Sequence, residues 1–421
     1  MRIAIVTTHF QHRKGGGIGH VVDNFYNIFN KEHKLYVIND KHSSPNENIY
    51  ASIFSHGRIK FSIKNLIYSL HLIYRVFFKS KASFFKRICP LIYFFKHPRE
   101  FFRLVDSLKS SMLIFKRNRF DLIISPSIGF STQFSFFIST LFKIKSVALG
   151  HGDDFLGKMK RFNQYFNEVF LSNFDRIILT NDNMKKLFQK IYPTINSKKM
   201  CVINLGIDLK EYEIIEDKEE LREIFGISTK KFVLTSIGRL QLRKNFQNVI
   251  KAIYLIKKER EISDFLYLII GEGPTKNLLT KLIDKYQLKN TVFLMGELQD
   301  KEIKNKYLKL SDVFIMPSFY DKKNKSIEGF GIVFLESGYY NIPAIGSFSG
   351  GIPKAIESGE TGFLTKSYDT DELKKYILKL YEDEKIRNRL GANAYKKVIE
   401  KHNWEKIYLQ FLKIFEGLIE K

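Results

Sequence analysis

The chain of 421 residues holds a single tryptophan, two cysteines and nine prolines. Cys89 and Cys201 are too few and too far apart for a disulfide framework or a cysteine-built metal centre. Acidic residues are scarce in one half only. Residues 1–200 hold 32 Lys+Arg against 12 Asp+Glu, a net of +20, whereas the remainder holds 37 against 32, a net of +5. A long apolar run is also missing. The 21 uncharged residues Leu122–Phe142 are broken throughout by Ser, Thr, Gln, Pro and Gly, which makes them a poor membrane span. They parse better as a short strand at Leu122–Ile124, a turn at Ser125-Pro126-Ser127 and an amphipathic helix to Phe142. The opening Met1-Arg2-Ile3-Ala4-Ile5-Val6 reads as a strand and not as a signal peptide, so the cytoplasm is the expected compartment.

Hydrophobic residues make up 44% and charged residues 27%, ordinary values for a globular protein long enough for two or three cores. Apolar β-branched runs alternate with helical periodicities, which argues for parallel sheets covered by helices. The runs lie at Arg2–Thr8, Leu35–Ile38, Leu122–Ile124, Ser146–Leu149, Ile177–Thr180 and Met200–Asn204. A charged connection over 208–231, with a short helix at Lys218–Phe225, separates them from a second series. That series runs through Phe232–Ile237, Leu266–Ile270, Val292–Leu294, Val313–Met316 and Ala344–Ile345. Two doubly wound α/β domains are therefore expected, with a boundary near residue 207. Ligands of such sheets sit at the carboxyl ends of the strands, so the active site is expected between the two domains.

Residues 57–119 contain 15 basic and two acidic residues interleaved with 13 aromatics, a local net of +13. The pattern suits docking on an anionic membrane surface. An AT-rich genome would also enrich lysine, though it would not thin the acids in one segment. Nucleic acid is not an expected partner, because no zinc spacing, RNP-like motif or helix-turn-helix pattern is present.

Candidate ligand loops follow the strands. Lys14-Gly15-Gly16-Gly17-Ile18-Gly19 precedes a helix expected from about His20 to Asn30; it suits phosphate approach at a helix start, or a plain flexible turn. Gly150-His151-Gly152-Asp153-Asp154 puts a histidine between glycines at a strand end, where it could orient a hydroxyl or touch the reacting centre. Ser236-Ile237-Gly238-Arg239 with Lys244 offers a planar fork and a compact charge for a diphosphate, or else a basic surface loop. Gly271-Glu272-Gly273-Pro274 and Ser349-Gly350-Gly351-Ile352-Pro353 are tight turns open to either a ligand or a structural role. Glu328-Gly-Phe330-Gly331-Ile-Val-Phe-Leu-Glu336 is the most informative stretch. Two carboxylates flank a glycine turn and the first turn of a buried helix, an arrangement suited to a ligand with many hydroxyls and a phosphate. No second histidine cluster stands near His151 in sequence to mark a metal site, though His9, His12 and His20 could be brought to it by the fold.

Taken in order, these segments, with Asn204-Leu205-Gly206-Ile207-Asp208, Thr361-Gly362 and the Trp404 segment, resemble the retaining GT-B glycosyltransferases of family 4, also called glycosyl transferases group 1. The resemblance implies an acceptor-binding Rossmann-like domain over 1–206, a nucleotide-sugar donor domain over 207–395, and a terminal helix over 396–421 that crosses back to the first domain. It implies that Arg239 and Lys244 hold the donor diphosphate, with Gly16 and Gly17 near the phosphate, and that Gly238 and Gly273 line the donor site. Glu336 would take the ribose hydroxyls. Glu328 and the backbone of Phe330 and Gly331 would contact the donor sugar, with His151 near the reaction centre. No cofactor or metal is implied beyond a UDP- or GDP-linked sugar donor. The expected acceptor is a saccharide or lipid-linked saccharide of cell-surface polysaccharide or lipopolysaccharide assembly, met on the inner face of the plasma membrane. Competing expectations are a non-catalytic basic glycan- or lipid-binding module, a GT-B sugar-nucleotide epimerase and a glycan phosphorylase. Two departures bear on the donor sugar: the basic loop Tyr320–Ile327, and Ser337-Gly-Tyr339-Tyr340-Asn341-Ile-Pro343 where small residues are more usual.

Overall fold

A computed structural model describes residues 1–7, 16–39, 49–50, 98–156 and 161–420. The chain divides into two compact units, one of Met1–Ile203 with Tyr408–Lys421 and the other of Asn204–Ile407.

The first unit is built on β1 (Arg2–Thr7), β2 (Lys34–Asn39), β3 (Ile49–Tyr50), β4 (Leu122–Ser125), β5 (Lys145–Gly150), β6 (Arg176–Leu179) and β7 (Met200–Val202). They pair in the order β3-β2-β1-β4-β5-β6-β7 and every neighbouring pair is parallel. Ile3–Val6 and Leu122–Ile124 are wholly buried, the pattern of strands covered on both faces. Helix α1 (Gly16–Glu32) starts four residues before the expected His20. Glycine is a poor helix former, so the sequence places it in a loop, yet the first turn tolerates it because its N–H groups need no helical partner. Val21, Val22, Phe25 and Phe29 form the buried stripe of α1. Within this unit Phe25 and Phe29 pack on Phe411 and Phe415, and the Tyr408 hydroxyl donates to Glu32 at 2.6 Å. The segment Leu122–Phe142 resolves into β4 and a helix at Phe130–Phe142. Among the described residues no helix is long and apolar enough to cross a membrane. Of the basic, aromatic segment 57–119, residues 57–97 lie outside the described residues, and the rest is mostly the helix Pro98–Arg117.

The second unit carries β8 (Phe232–Ile237), β9 (Phe265–Ile270), β10 (Val292–Gly296), β11 (Val313–Ile315), β12 (Ala344–Ser347) and β13 (Gly362–Thr365), in the order β10-β9-β8-β11-β12-β13 and again all parallel. The order reverses at β8/β11, and such a reversal opens a crevice at the carboxyl ends of the strands. The first turn of that pairing is fixed by a buried carboxylate. Asp312 accepts from Arg222 Nη2 at 2.7 Å, Lys218 Nζ at 2.6 Å and the Val233 N–H at 2.6 Å. Strand β13 is not among the strands expected from the sequence, since it opens on a glycine. A Cβ on Gly362 would stand 2.1 Å from the Ala344 carbonyl oxygen. The junction segment is held inside this unit as well: Ile207 N–H donates to His402 O, Trp404 N–H donates to Ile207 O, and a Cβ on Gly206 would stand 2.2 Å from His402 O.

Candidate functional site

The loop after β8 begins at Gly238, whose φ of +155° suits glycine. It passes through exposed Arg239 and a short 3-10 turn at Leu242–Lys244 before the helix Phe246–Arg260. Asn245 joins turn to helix in the left-handed conformation (φ +64°), and its side-chain amide donates to Pro317 O at 3.1 Å. The loop is thereby tied to the end of β11, which brings Arg243 and Lys244 to Glu328. Lys244 Nζ lies 2.6 Å and Arg243 Nη1 2.9 Å from the same oxygen, Oε2 of Glu328. Among the described residues Glu328 Oε1 receives no hydrogen bond. The Glu328 main chain is held too, because the Gly351 N–H donates to its carbonyl at 2.9 Å, and a Cβ on Gly350 would stand 2.1 Å from that oxygen.

Burial pushes the Glu328 carboxyl upward, but the Lys244 and Arg243 charges and their hydrogen bonds outweigh it and bring the group down to about 2. It is therefore ionised throughout the neutral range. Such a carboxylate is a weak base and a weak nucleophile; what it does well is fix two cations and accept from a hydroxyl. Arg239 meets no side-chain partner among the described residues.

Helix α2 (Ile332–Tyr339) starts after Gly331, which sits at φ +87° and has Phe334 where a Cβ would point, at 2.5 Å. The Phe330 ring is buried against the His402 ring, 5.5 Å between centroids. Glu336, on the second turn of α2, is buried; it accepts from the Tyr212 hydroxyl at 2.8 Å and faces Lys304 Nζ at 3.3 Å. Gly271 and Gly273 have a backbone reason of their own. Cβ atoms there would stand 2.1 Å from Gly238 O and 2.5 Å from Leu240 O, and Leu240 N–H donates to Glu272 O at 2.9 Å. The structure thus places Gly238, Lys244, Glu328, Phe330, Gly331, Glu336 and Gly273 in the second unit, with Lys244 joined to Glu328 and Glu336 joined to Tyr212 and Lys304. It adds Arg243, Tyr212 and Lys304, whose partners are 85, 124 and 32 residues away in sequence and leave no local pattern.

In the first unit His151 follows β5. Its Nε2 lies 2.8 Å from the Pro126 carbonyl, which can only accept, so in the neutral ring the proton sits on Nε2 and Nδ1 is an acceptor. Asp154, not singled out as a site residue, orders this loop: it accepts from the N–H groups of His151, Gly152 and Ile128 at 2.9, 2.9 and 3.0 Å. Gly16 and Gly17 form the start of α1, where main-chain N–H groups have no helical acceptor. The preceding Gly15 lies outside the described residues, as do His9 and His12. Among the described residues no three His, Cys, Asp or Glu side chains come together as a metal site would require.

Residues 217–397, which include the whole Glu328 cluster, match the family model described as "Glycosyl transferases group 1". That segment, a little under half of the chain, is similar to the glycosyl transferases group 1. Among relatives, the chain is 30% identical over 203 residues to an N-acetyl-alpha-D-glucosaminyl L-malate synthase of Bacillus anthracis, covering 48% of this chain and 50% of that one. It is 29% identical over 232 residues to the UDP-Gal:alpha-D-GlcNAc-diphosphoundecaprenol alpha-1,3-galactosyltransferase of Escherichia coli, covering 54% and 56%. The match thus spans about half the length of each. A sucrose-phosphate synthase from Thermosynechococcus elongatus superimposes with a TM-score of 0.75 at 18% identity, covering 100% of this chain and 99% of the other. Two parallel-sheet units and this neighbour identify the fold as the two-domain α/β GT-B fold.

Proposed function

We propose that this protein is a glycosyltransferase that moves a sugar from a UDP- or GDP-linked donor to a hydroxyl of a glycan or lipid-linked saccharide, with retained anomeric configuration and without a metal. The observation that carries this reading is the Arg243–Lys244–Glu328 cluster within the family-matched segment. Two cations and one carboxylate leave one positive charge, and exposed Arg239 adds another, a balance suited to a diphosphate. As the C1–O bond to the phosphate breaks, negative charge gathers on the leaving oxygen. Cations fixed beforehand stabilise that state more than the ground state. Glu328 holds Lys244 in place and offers Oε1 to a sugar hydroxyl. With its carboxyl at about 2 it is unsuited to covalent attack. The acceptor oxygen therefore forms the new bond to C1 on the face the phosphate leaves, and its proton passes to the departing phosphate. Glu336, oriented by Tyr212, takes the ribose hydroxyls, and His151 offers Nδ1 to a sugar hydroxyl.

The name of the Escherichia coli relative carries a UDP-sugar and a diphosphoundecaprenol-linked acceptor. The same chemistry suits this chain's basic, aromatic segment, and with it a peripheral place on the cytoplasmic leaflet in polysaccharide or lipopolysaccharide assembly. The deciding experiment is a thermal-shift panel of UDP, GDP and their sugars on the wild type and on the Arg239→Ala/Lys244→Ala variant. A ligand of the folded state raises the midpoint as the logarithm of its saturation. One nucleotide should raise it in the wild type alone, and turnover should fall by orders of magnitude in a variant that stays folded. Near-normal activity in the variant refutes the clamp, and no shift with any nucleotide favours a binding module.

A further inference from the structure

The run Ser337–Pro343 departs from the small residues usual in the family, and the second unit shows what the departure builds. Behind α2 lies a cavity of about 310 Å³, lined by Tyr212, Glu213, Tyr339, Tyr340, Asn341 and Tyr395 among others. None of the Glu328 cluster lines it. Its walls follow from how α2 meets α3 (Glu384–Lys401). Gly338 would place a Cβ 3.3 Å from the Ala394 Cβ, and Gly391 would place one 1.9 Å from the Asn341 carbonyl. Such close approach leaves no room for side chains between the helices. The residues next in sequence, Tyr339 and Tyr395, emerge side by side at the rim with ring centroids 6.0 Å apart. Tyr340 stands edge-on to Tyr339 at 5.3 Å, and buried Tyr212 makes the floor, 5.9 Å from Tyr339.

The polar groups divide cleanly. Tyr212 and Tyr340 hydroxyls are committed, to Glu336 and to the Tyr212 carbonyl. Among the described residues the hydroxyls of Tyr339 and Tyr395, the Glu213 carboxylate and the Asn341 amide make no hydrogen bond. Flat apolar rings beside uncommitted acceptors and donors are what a pyranose presents a need for: its C–H face lies on a ring and its hydroxyls reach the rim. A volume near the lower end of the ~300–1,000 Å³ typical of small-ligand sites leaves room for about one or two sugar rings and no more. Charge narrows the choice. Glu213 opposes a phosphate at the rim, while Lys301, 5.1 Å from the Tyr212 ring centre, and Lys309 in the lining oppose a cation.

We propose that this cavity is a second saccharide site, distinct from the Lys244–Glu328 cluster, that takes a neutral pyranose unit of a glycan. The inference is independent of the activity proposed above. It is tested by ligand-observed saturation-transfer NMR titration of the full chain with methyl α-glucoside, methyl α-galactoside and methyl N-acetyl-α-glucosaminide. The proteins compared are the wild type, Tyr395→Ala, Glu213→Ala and Lys244→Ala. Tyr395 is 39% exposed and Glu213 is exposed, so both replacements spare the core, and circular dichroism checks this. At least one glycoside should bind the wild type, bind about tenfold more weakly to each cavity variant, and bind Lys244→Ala as the wild type does. Binding lost in Lys244→Ala and kept in the cavity variants overturns the proposal, by assigning the sugar to the donor cluster. So does the absence of binding by all three glycosides.

Discussion

At the scale of single residues, Glu328 is held by two cations that share one of its oxygens. Removing one of them has a signed consequence. In Arg243→Ala only Lys244 opposes the burial of the carboxyl, so its titration moves up from about 2 toward the ordinary carboxylate range. The acid limb of nucleotide binding should shift to higher pH, read by thermal shift with the nucleotide the panel identifies; an unmoved limb means that Arg243 is a bystander. His402 gives a second pH signature. Burial lowers it to about 4 against the Leu205 hydrogen bond that favours its charged form. The unfolded chain takes that proton near pH 6.5, so between about 6.5 and 4 the unfolded state binds more protons. Stability is flat above pH 7 and falls as the pH drops through that window, by at most about 3 kcal/mol. Glu328 works lower, its contribution present above 4.5 and lost as the pH falls to about 2. Denaturant midpoints from pH 4 to 8 should slope in the wild type and level out in His402→Gln; equal slopes would exclude His402 as the source.

At the scale of elements, loops at the carboxyl ends of β8, β9 and β12 are locked backbone to backbone. Gly271→Ala puts a Cβ 2.1 Å from Gly238 O at a φ of +143°, and should cost roughly 2–4 kcal/mol and abolish the nucleotide shift. Gly226→Ala is the control: its φ is +64° but the space is open, so about 1 kcal/mol is expected with the shift intact. Equal losses in thermal unfolding would show that strain alone, not the close approach, makes glycine necessary. This contrast explains what sequence could and could not tell. Strands such as Phe232–Ile237 are legible because both faces are buried and every residue is apolar or small. The glycines invite a ligand explanation, since a missing Cβ looks the same whether a phosphate or a neighbouring carbonyl fills the space. Arg243 stays hidden because its carboxylate is reached only through the fold, and Tyr212 for the same reason.

At the scale of the whole molecule the net charge of +25 is concentrated in the first 200 residues, which carry +20 of it. Vesicles containing anionic lipid should bind the protein at low salt and release it as ionic strength rises, over the range in which the screening length contracts from ~30 to ~8 Å. Sedimentation with neutral and anionic vesicles reads this out; salt-independent binding would indicate apolar insertion instead. The longest reach belongs to one phenol. Tyr212 gives its hydroxyl to Glu336 on one side, its carbonyl to Tyr340 on another, and its ring to the tyrosine cavity. On the readings proposed above, nucleotide and glycan share it as a common wall, and thermodynamic linkage makes such sharing reciprocal. Whatever factor a bound sugar applies to nucleotide affinity, the nucleotide must return to the sugar. A glycan could in this way report its presence to the donor site without entering it.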